Sequence, residues 1–238
     1  MKGGLSQDSW LTSGEIELVG RVLDATNATY LVEVGMAAGP VRRAIYKPIR
    51  GERPLSDFPV GTLANRERAA YLLSEATGWR IVPLTVLRNG PLGPGMVQEW
   101  VDEDVETDIL ALLQASDERL RRIAVFDVLA NNADRKGGHL IPVPDGHVHG
   151  VDHGICFSAQ PKLRTILWAW RGQPLNEEEL SGVERVSAAL AGDLGGQLRQ
   201  LLSAAEVEAT VGRARTLLDQ PRFPHPDSTR PAIPWPPF

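Results

Sequence analysis

Alternating apolar and polar positions in the first hundred residues predict a β-rich region. Runs of β-branched and aromatic residues predict strands at 15–19, 30–34, 43–48, 81–87 and 95–100. Between the third and fourth strands, residues 62–76 are rich in Ala, Leu, Glu and Arg and are followed by Gly78, which predicts a helix. The first region is therefore expected to fold as β-β-β-α-β-β, and its first three strands as an antiparallel meander.

The spacing of apolar residues changes to a helical period after about residue 104. Helices are predicted over 108–114 and 118–131 and near Lys162, Asn176, Asp193 and Glu206, and Asn176 with Glu179 forms a capping-box pattern. A short hairpin, 139–142 with 148–155, interrupts them. The last 18 residues contain seven prolines and predict a polyproline-like tail that is disordered, packs on the helical part or binds a partner.

Composition excludes several classes of function. The 238 residues carry a formal net charge of −5 and no cluster of Lys and Arg, which argues against a nucleic-acid partner. No apolar run approaches the roughly 18 residues of a membrane span, and residues 1–8 lack the apolar core of a secretory signal. Because Cys156 is the single cysteine, we expect a reduced, cytoplasmic protein without integral membrane contact.

The densest group of reactive side chains follows the predicted helix 118–131. The loop after this helix carries Asp134 and Arg135, and the next hairpin leads to Asp152. Two carboxylates are thereby expected at one end of the hairpin. One could accept the proton of a hydroxyl group, and the other could hold Mg²⁺ against a polyphosphate.

Residues of the β-rich region supply the groups needed to hold a nucleotide. Lys47, at the end of the third strand, can bind phosphate oxygens, and Glu67 of the next helix can hold it in an ion pair. Glu75, two turns further along, is a competing partner. The loop 24–29 offers N–H and hydroxyl groups to the same phosphates. Its candidate residues are Thr26, Asn27 and Thr29.

Four segments of the sequence resemble the lipid-kinase and toxin-kinase branches of the kinase-like superfamily, and most of all the type II phosphatidylinositol 4-kinases. They are YKPIRGERP (46–54), SEATGWRIVPLTVL (74–87), FDVLANNADRKGGHL (126–140) and GVDHGICF (150–157), the last followed by LWAW (167–170). The sequence is also similar to HipA-like proteins. It resembles, too, an actinobacterial group of kinase-like proteins that share NNADRKGGH and the closing PWPPF.

The resemblance implies an α+β, two-lobed protein-kinase-like fold that binds ATP and transfers a phosphoryl group to a hydroxyl acceptor. It implies that Lys47 binds ATP and that Asp152 ligates the metal. Asp134 would be the catalytic base, with Arg135 beside it. The expected parts are a β-rich lobe at 10–97, a hinge at 98–103, a helical lobe at 104–220 and the Pro-rich tail at 221–238. The hinge residues expected to contact adenine are Gln98, Glu99 and Trp100.

One position departs from the family pattern, because His139 stands where the catalytic loop usually ends in Asn. Imidazole suits softer ions than Mg²⁺, so His139 with Asp152 is expected to bind Mg²⁺ or Mn²⁺. The departure leaves open a pseudokinase that binds a nucleotide without transfer. A zinc-dependent hydrolase is a further alternative. Its ligands would come from His139, His147, His149 and His153.

The acceptor is expected to be a small molecule or a phosphoinositide-like headgroup. Because a helix is predicted near Lys162, little chain remains after Asp152 for the long segment with which protein kinases dock peptides. Lys162, Arg164 and Arg171 would then meet an anionic acceptor.

Overall fold

Five antiparallel strands form one sheet within residues 9–23, 25–37 and 39–238, the part of the chain that this computed structural model describes. The strands are β1 (Glu15–Val22), β2 (Thr29–Gly35), β3 (Arg42–Pro48), β4 (Thr85–Gly90) and β5 (Gly93–Glu99), in the order β1-β2-β3-β5-β4. One face is buried because alternate residues are apolar, such as Val32 and Val34 of β2. The predicted three-stranded meander is confirmed, and the β4–β5 hairpin joins it beside β3.

The helical lobe follows the sheet along the chain and contains a short hairpin. The α-helices in the described residues are α1 (Ser9–Ser13), α2 (Leu63–Thr77), α3 (Ile109–Gln114), α4 (Arg119–Ala130), α5 (Glu177–Leu190), α6 (Asp193–Leu201) and α7 (Ala204–Asp219). The hairpin pairs β6 (Leu140–Pro142) with β7 (Val148–Gly150). The predicted α+β fold with a β-rich lobe and a helical lobe is therefore confirmed.

The helix α2 connects the two lobes, and polar groups fix both of its ends. The carboxylate of Glu52 accepts the first two N–H groups of the helix at 3.2 and 2.9 Å, which pairs donors that a helix start leaves free. Gly78 ends the helix in the left-handed conformation (φ 74°), as the sequence predicts. The fully buried guanidinium of Arg66 donates to Glu206 at 2.6 Å, so α2 is tied to α7.

The strand predicted at 81–87 begins only at Thr85. Upstream of it, the carbonyl of Ile81 accepts the N–H group of Gly150, at the end of β7, at 2.9 Å. The segment 81–84 therefore leaves the sheet and contacts the hairpin of the helical lobe. The prediction was wrong at this end because an apolar run does not reveal which partner its backbone groups bind.

The prediction of a helix near Lys162 is also wrong, because residues 151–175 contain no helix. The chain there runs beside the loop that follows α4. The N–H group of Arg164 donates to the carbonyl of Asn132 at 2.9 Å, and the carbonyl of Arg164 accepts the N–H group of Arg135 at 3.0 Å. Backbone groups bound to a neighbouring segment are not free to form the i to i−4 bonds of a helix.

The core of the helical lobe surrounds α4. Its buried apolar residues include Leu120, Ile123, Phe126 and Leu129. The predicted capping box at the start of α5 is confirmed, since Asn176 and Glu179 exchange hydrogen bonds of 2.8 Å. Glu179 also accepts a bond of 2.7 Å from Arg121, which joins α5 to α4. None of the helices in the described ranges is long and apolar enough to cross a bilayer.

The Pro-rich tail packs along the helical lobe, one of the three states that its composition left open. Its carbonyl groups accept backbone N–H groups of the helical lobe at four places: Pro221 from Leu175 at 2.8 Å, Phe223 from Gly172 at 3.0 Å, Ala232 from Thr165 at 3.0 Å and Pro237 from Gly137 at 2.8 Å. The ring of Phe238 lies where a side chain of Gly137 would be, 1.9 Å from an ideal Cβ position. The end of the tail therefore contacts the loop that carries Asp134.

We expect Gly182 of α5 to tolerate no side chain. An ideal Cβ there would lie 2.1 Å from the ring of buried Trp79, and overpacking costs about 1–3 kcal/mol. Gly182→Ala should therefore lower the free energy of unfolding in urea, although Ala favours a helix by about 1 kcal/mol. Gly196→Ala in α6 is the matched control, because its Cβ meets no atom within 4 Å and the change should stabilise. A Gly182→Ala protein at least as stable as its parent would refute this packing.

Candidate active site

Lys47 brings together three segments that are distant in the sequence. Its ammonium group lies 2.7 Å from Oε1 of Glu67 and 2.7 Å from Oδ1 of Asp152. Lys47 comes from the end of β3, Glu67 from α2, and Asp152 from the turn after β7, where it has a left-handed backbone (φ 60°). The expected ion pair of Lys47 with Glu67 is confirmed, and Glu67 rather than the competing Glu75 is the partner observed for Lys47.

The second oxygen of Glu67 links the lobes again, because Oε2 accepts the backbone N–H group of His153 at 2.9 Å. Glu67 is only 2% exposed, whereas the side chain of Asp152 is half-exposed. The carboxylate of Glu67 is thus a fixed partner, and that of Asp152 still faces the space between the lobes.

The groups of this cluster stabilise the charged forms of one another. Burial alone would lower the pKa of Lys47, but Asp152 and Glu67 raise it above its ordinary value. Lys47 in turn holds the pKa of Asp152 well below the usual range of a carboxyl group. Lys47 is therefore a cation and Asp152 an anion throughout the neutral pH range.

Asp134 lies in the loop after α4. The first residue after this helix, Asn131, has the left-handed conformation (φ 49°). The N–H group of Asp134 donates to Oδ1 of Asn132 at 2.9 Å, and its carboxylate lies 3.6 Å from Nζ of Lys136. Burial raises the pKa of Asp134 above its ordinary value, although Lys136 acts in the opposite direction. A carboxylate with a raised pKa is a better proton acceptor than an exposed one.

A fully buried ionic cluster holds the loop of Asp134 from the protein interior. Arg135 donates to Asp127 through Nη2 at 2.9 Å and through Nε at 3.1 Å, and neither side chain is exposed. Asp127 also accepts bonds from Asn132 at 2.9 Å and from Thr165 at 3.1 Å. Every member of this cluster thus has a polar partner, as buried charges require.

Arg135 cannot contact a substrate from this position, so the expectation that it acts in catalysis does not fit its burial. Its guanidinium also donates to the carbonyl of Val151 at 3.1 Å and lies 2.6 Å from Nε2 of His153. Arg135 therefore connects the loop of Asp134 to the turn of Asp152 and positions both.

Sequence reasoning missed Asp127, the central acceptor of this cluster. A signal was present, because Asp127 lies on the apolar face of α4 with Ile123 and Ala130, four positions before it and three after it. A carboxylate on a buried helical face needs a cationic or hydrogen-bonding partner. Arg135, eight residues further on, was the available cation.

The predicted phosphate-binding loop lies at the edge of the cleft, and Asp24 falls outside the described residues. The hydroxyl of buried Thr29 donates to the carbonyl of Asn27 at 3.3 Å. The side chain of Asn27 accepts the N–H group of Arg53 at 2.8 Å. These two side chains therefore shape the loop, and Thr26 is the exposed member.

The predicted adenine-binding residues are at the end of β5. Gln98 is buried, and its side chain donates to Thr85 at 2.8 Å. Glu99 is the last residue of the strand, and the indole of Trp100 donates to Asp102 at 3.0 Å. The chain then crosses without regular structure to α3, and contact of this segment with adenine stays a prediction.

The carboxylate of Asp152 fits a divalent cation, because it is ionised, half-exposed and made of the oxygen atoms that Mg²⁺ prefers. His139 is the neighbouring side chain, with Nε2 at 3.5 Å from Oδ2 of Asp152. Burial lowers the pKa of His139 to about 4, so the ring is neutral. Its Nδ1 accepts the N–H group of Lys136 at 3.4 Å, which leaves the proton on Nε2.

The four histidines of the zinc alternative do not converge. His147 and His149 donate to the carbonyl groups of Arg80 and Ile81 at 3.0 and 3.1 Å. His153 is fully buried, with Nε2 2.6 Å from the guanidinium of Arg135, whereas His139 lies beside Asp152. In the ranges that the structure covers, no three His, Cys, Asp or Glu side chains gather as metal ligands. The geometry therefore gives no support to a zinc-dependent hydrolase.

A β-rich lobe, a helical lobe and a Lys–Glu–Asp cluster between them define a kinase-like fold. Solved structures agree. Hydra Fam20, solved with sugar, matches with a TM-score of 0.56 and 16% identity over 88% of this chain and 85% of that one. The Helicobacter pylori proinflammatory kinase CtkA matches with a TM-score of 0.53 and 14% identity over 90% and 94% of the two chains.

No family model matches the sequence. The chain is 44% identical over 263 aligned positions to protein Rv2133c of Mycobacterium tuberculosis (strain H37Rv), and the match covers 96% of this chain and 94% of that protein. It therefore belongs to the family of Rv2133c. It is also similar to phosphatidylinositol 4-kinase gamma 4 of rice, with 25% identity over 170 positions, which are 56% of this chain and 30% of that kinase.

Removal of Arg135 should destabilise the protein strongly. In Arg135→Leu the carboxylate of Asp127 loses its buried cationic partner, a change that typically costs about 3–5 kcal/mol. Chemical denaturation monitored by circular dichroism measures this loss. The control is Arg122→Leu, which breaks an exposed pair with Glu178 (3.0 Å) and should cost less than about 1 kcal/mol. Equal losses in the two variants would contradict a structural role for Arg135.

Proposed function

We propose that this protein is an ATP-dependent phosphotransferase that acts on a hydroxyl acceptor. The observation that carries the proposal is the ammonium group of Lys47, which lies 2.7 Å from carboxylate oxygens of both Glu67 and Asp152. A strand lysine held by a helix glutamate beside a metal-binding aspartate is the arrangement with which kinases hold ATP for transfer.

Each residue of the site has a distinct part in this proposal. Lys47 binds phosphate oxygens of ATP and is kept in place by Glu67. The segment 25–29 covers the phosphates with its N–H groups, and the hinge 98–103 receives the adenine. Asp152 holds the divalent cation with His139 beside it, and a cation bound there would offset the negative charge that develops on the phosphates.

Asp134 takes the proton. Its carboxylate accepts the proton of the acceptor hydroxyl while the acceptor oxygen forms a bond to the γ-phosphorus of ATP. The bond between that phosphorus and the bridging oxygen breaks, and its electron pair leaves with ADP. Arg135 contributes by holding the loop of Asp134 in position over the buried Asp127.

The names of two similar proteins support a proposal for the class of acceptor. The rice relative is named as a phosphatidylinositol kinase and the hydra structure contains a sugar, so both names point to a polyol. We propose a polyol hydroxyl as the acceptor, supplied by a sugar-like molecule or by a headgroup.

A nucleotide-binding pseudokinase is the second candidate, and His139 is the observation that favours it. Its Nδ1 accepts a backbone N–H group, so the nitrogen nearest Asp152 carries the proton and has no free lone pair for a metal. A site with Asp152 as the single protein ligand would bind ATP yet transfer its phosphoryl group poorly.

Metal-dependent nucleotide binding tests the proposal. We expect ATP with Mg²⁺ or Mn²⁺ to raise the melting temperature of the parent protein, and Asp152→Ala to remove that increase because the phosphates lose their cation. Release of ADP on incubation with a mixture of polyols then separates the two candidates. Nucleotide binding without any ADP release would favour the pseudokinase. A melting temperature that ATP leaves unchanged with either metal would overturn both.

Asp134→Asn should separate activity from stability. Loss of the base should lower the transfer rate by about 10²–10⁴-fold. Because burial raises the pKa of Asp134, the folded protein disfavours its charged form, and stability from this group falls as pH rises through that pKa. Asp134→Asn should therefore raise the melting temperature at neutral pH. The gain should vanish at a pH low enough to protonate the carboxyl group of Asp134 in the folded and in the unfolded protein. A lower melting temperature at neutral pH would contradict this reading.

A further inference from the structure

A cavity of about 630 Å³ lies beside the catalytic loop, outside the Lys47 cluster. Its walls are the loop after α4, the extended segment 159–164, one face of α7 and the Pro-rich tail. Ala133, the neighbour of Asp134, is part of the lining. The volume is in the range of about 300–1,000 Å³ that is typical of pockets for small molecules.

The cationic groups of the cavity outnumber the anionic ones. Lys162 pairs with Asp57, and Arg230 lies 3.8 Å from Asp227, so these four charges cancel. Two further cations, Arg164 and Arg213, also line the cavity, and neither forms an ion pair with any residue that the structure covers. The cavity therefore has an excess of positive charge, which favours an anionic ligand.

Arg164 has a specific need for such a ligand. Its Nε is buried and has no hydrogen-bond partner among the described residues. A buried donor without an acceptor destabilises a fold by about 1–3 kcal/mol, and a bound ion or water is one of the ways in which native structures satisfy such a group. The planar guanidinium group matches the oxygen atoms of a phosphate or carboxylate group.

Arg213 is the second anchor and is held rigidly. Its Nε donates to the carbonyl of Leu129 at 2.8 Å and its Nη2 to the hydroxyl of Thr210 at 2.8 Å. Burial lowers the pKa of Arg213 to about 10, so the side chain remains a cation at neutral pH. A fixed cation without a carboxylate partner loses little conformational entropy when an anion binds.

The geometry also relates Arg164 to the catalytic base. Its segment runs parallel to the catalytic loop, with Arg135 and Thr165 forming a bridge. The side chains of Arg135 and Thr165 both contact Asp127, and because side chains alternate along an extended chain, Asp134 and Arg164 lie on the opposite side. An anion on Arg164 would thus hold the rest of its molecule near Asp134.

The remaining lining suits a carbon framework. Val128, Leu163 and Trp168 are apolar, and the indole of Trp168 is fixed because its N–H group donates to the carbonyl of Ala232 at 3.0 Å. A flat aromatic face can pack against the C–H groups of a sugar or another polyol ring.

We propose that this cavity binds the acceptor as an anionic polyol, with its phosphate or carboxylate group on Arg164 and Arg213 and its hydroxyl groups towards Asp134. That this ligand is the acceptor rests on the proposed function, whereas the binding of an anionic polyol does not. The shared chemistry can come from a soluble sugar phosphate or from a lipid headgroup.

A cavity-filling substitution tests the site without removing a charge. Gly212 lines the cavity from α7, and a Cβ there meets no atom within 4 Å, so Gly212→Leu should fill the space and preserve the fold. Gly196→Leu in α6 is the matched control, because that glycine is also helical, exposed and free of close neighbours and lies outside the cavity. Arg164→Gln removes the unpartnered donor while keeping most of the side-chain volume.

Isothermal titration calorimetry of the intact protein, without nucleotide, measures binding of glucose 6-phosphate, glycerol 3-phosphate and glucuronate, with glucose as the neutral match. Sedimentation with phosphatidylinositol vesicles tests the lipid source. We expect at least one anionic probe to bind and glucose not to bind. Gly212→Leu should abolish binding, Arg164→Gln should weaken it about tenfold or more, and Gly196→Leu should leave it unchanged.

Each other outcome overturns the inference. It is wrong if no probe binds, if glucose binds as well as glucose 6-phosphate, or if Gly212→Leu binds like the control. It is also wrong if Lys47→Met removes binding while Gly212→Leu keeps it, since the anion then occupies the nucleotide site. Because these titrations need neither ATP nor turnover, their result is independent of whether the protein transfers a phosphoryl group.

Discussion

The contact of one ammonium group with two carboxylates sets the relation between the lobes. Lys47 belongs to the sheet, Glu67 to the helix that spans the lobes and Asp152 to the turn that follows the hairpin of the helical lobe. In a weakly hydrated environment these charges are tolerated because each has a partner. The same contact therefore fixes the two sides of the cleft and keeps Asp152 ionised between them.

Beneath this cluster, a second group of charges has no access to solvent. Asp127 and Arg135 are fully buried and satisfied by one another, by Asn132 and by Thr165. The two groups of charges have different roles. The buried group holds the loop of Asp134 in a single conformation, whereas the carboxylates of Asp134 and Asp152 remain partly exposed in the cleft. A side chain that is fixed by buried contacts cannot also be open to a ligand. The two roles are therefore carried by different residues.

Sequence patterns predicted those parts that depend on local periodicity. The strands of the meander, the helix ended by Gly78 and the capping box of Asn176 follow from alternation, composition and cap residues. The order of Lys47, Glu67 and Asp152 along the chain also led to the expected ion pair of Lys47 with Glu67. The errors are non-local. Residues 81–84 and the segment around Lys162 have backbone groups that bind distant parts of the chain, and nothing in their own composition reveals those partners.

Asp127 shows why the site was only partly predictable. Its importance depends on burial and on a guanidinium from the next loop, and both follow from tertiary packing. The tail illustrates the same limit, because its prolines predict a local conformation without indicating the surface that receives it. Side chains that act by positioning others have weaker sequence signatures than those that contact a ligand.

The contact between Phe238 and Gly137 has an evolutionary consequence. The ring occupies the volume that any other residue at position 137 would need, so these two positions share one space. A larger residue in the loop would be accepted only together with a smaller or displaced one in the tail. Within the family, substitutions at the two positions should therefore be correlated, and a comparison of relatives could reveal the contact without any coordinates.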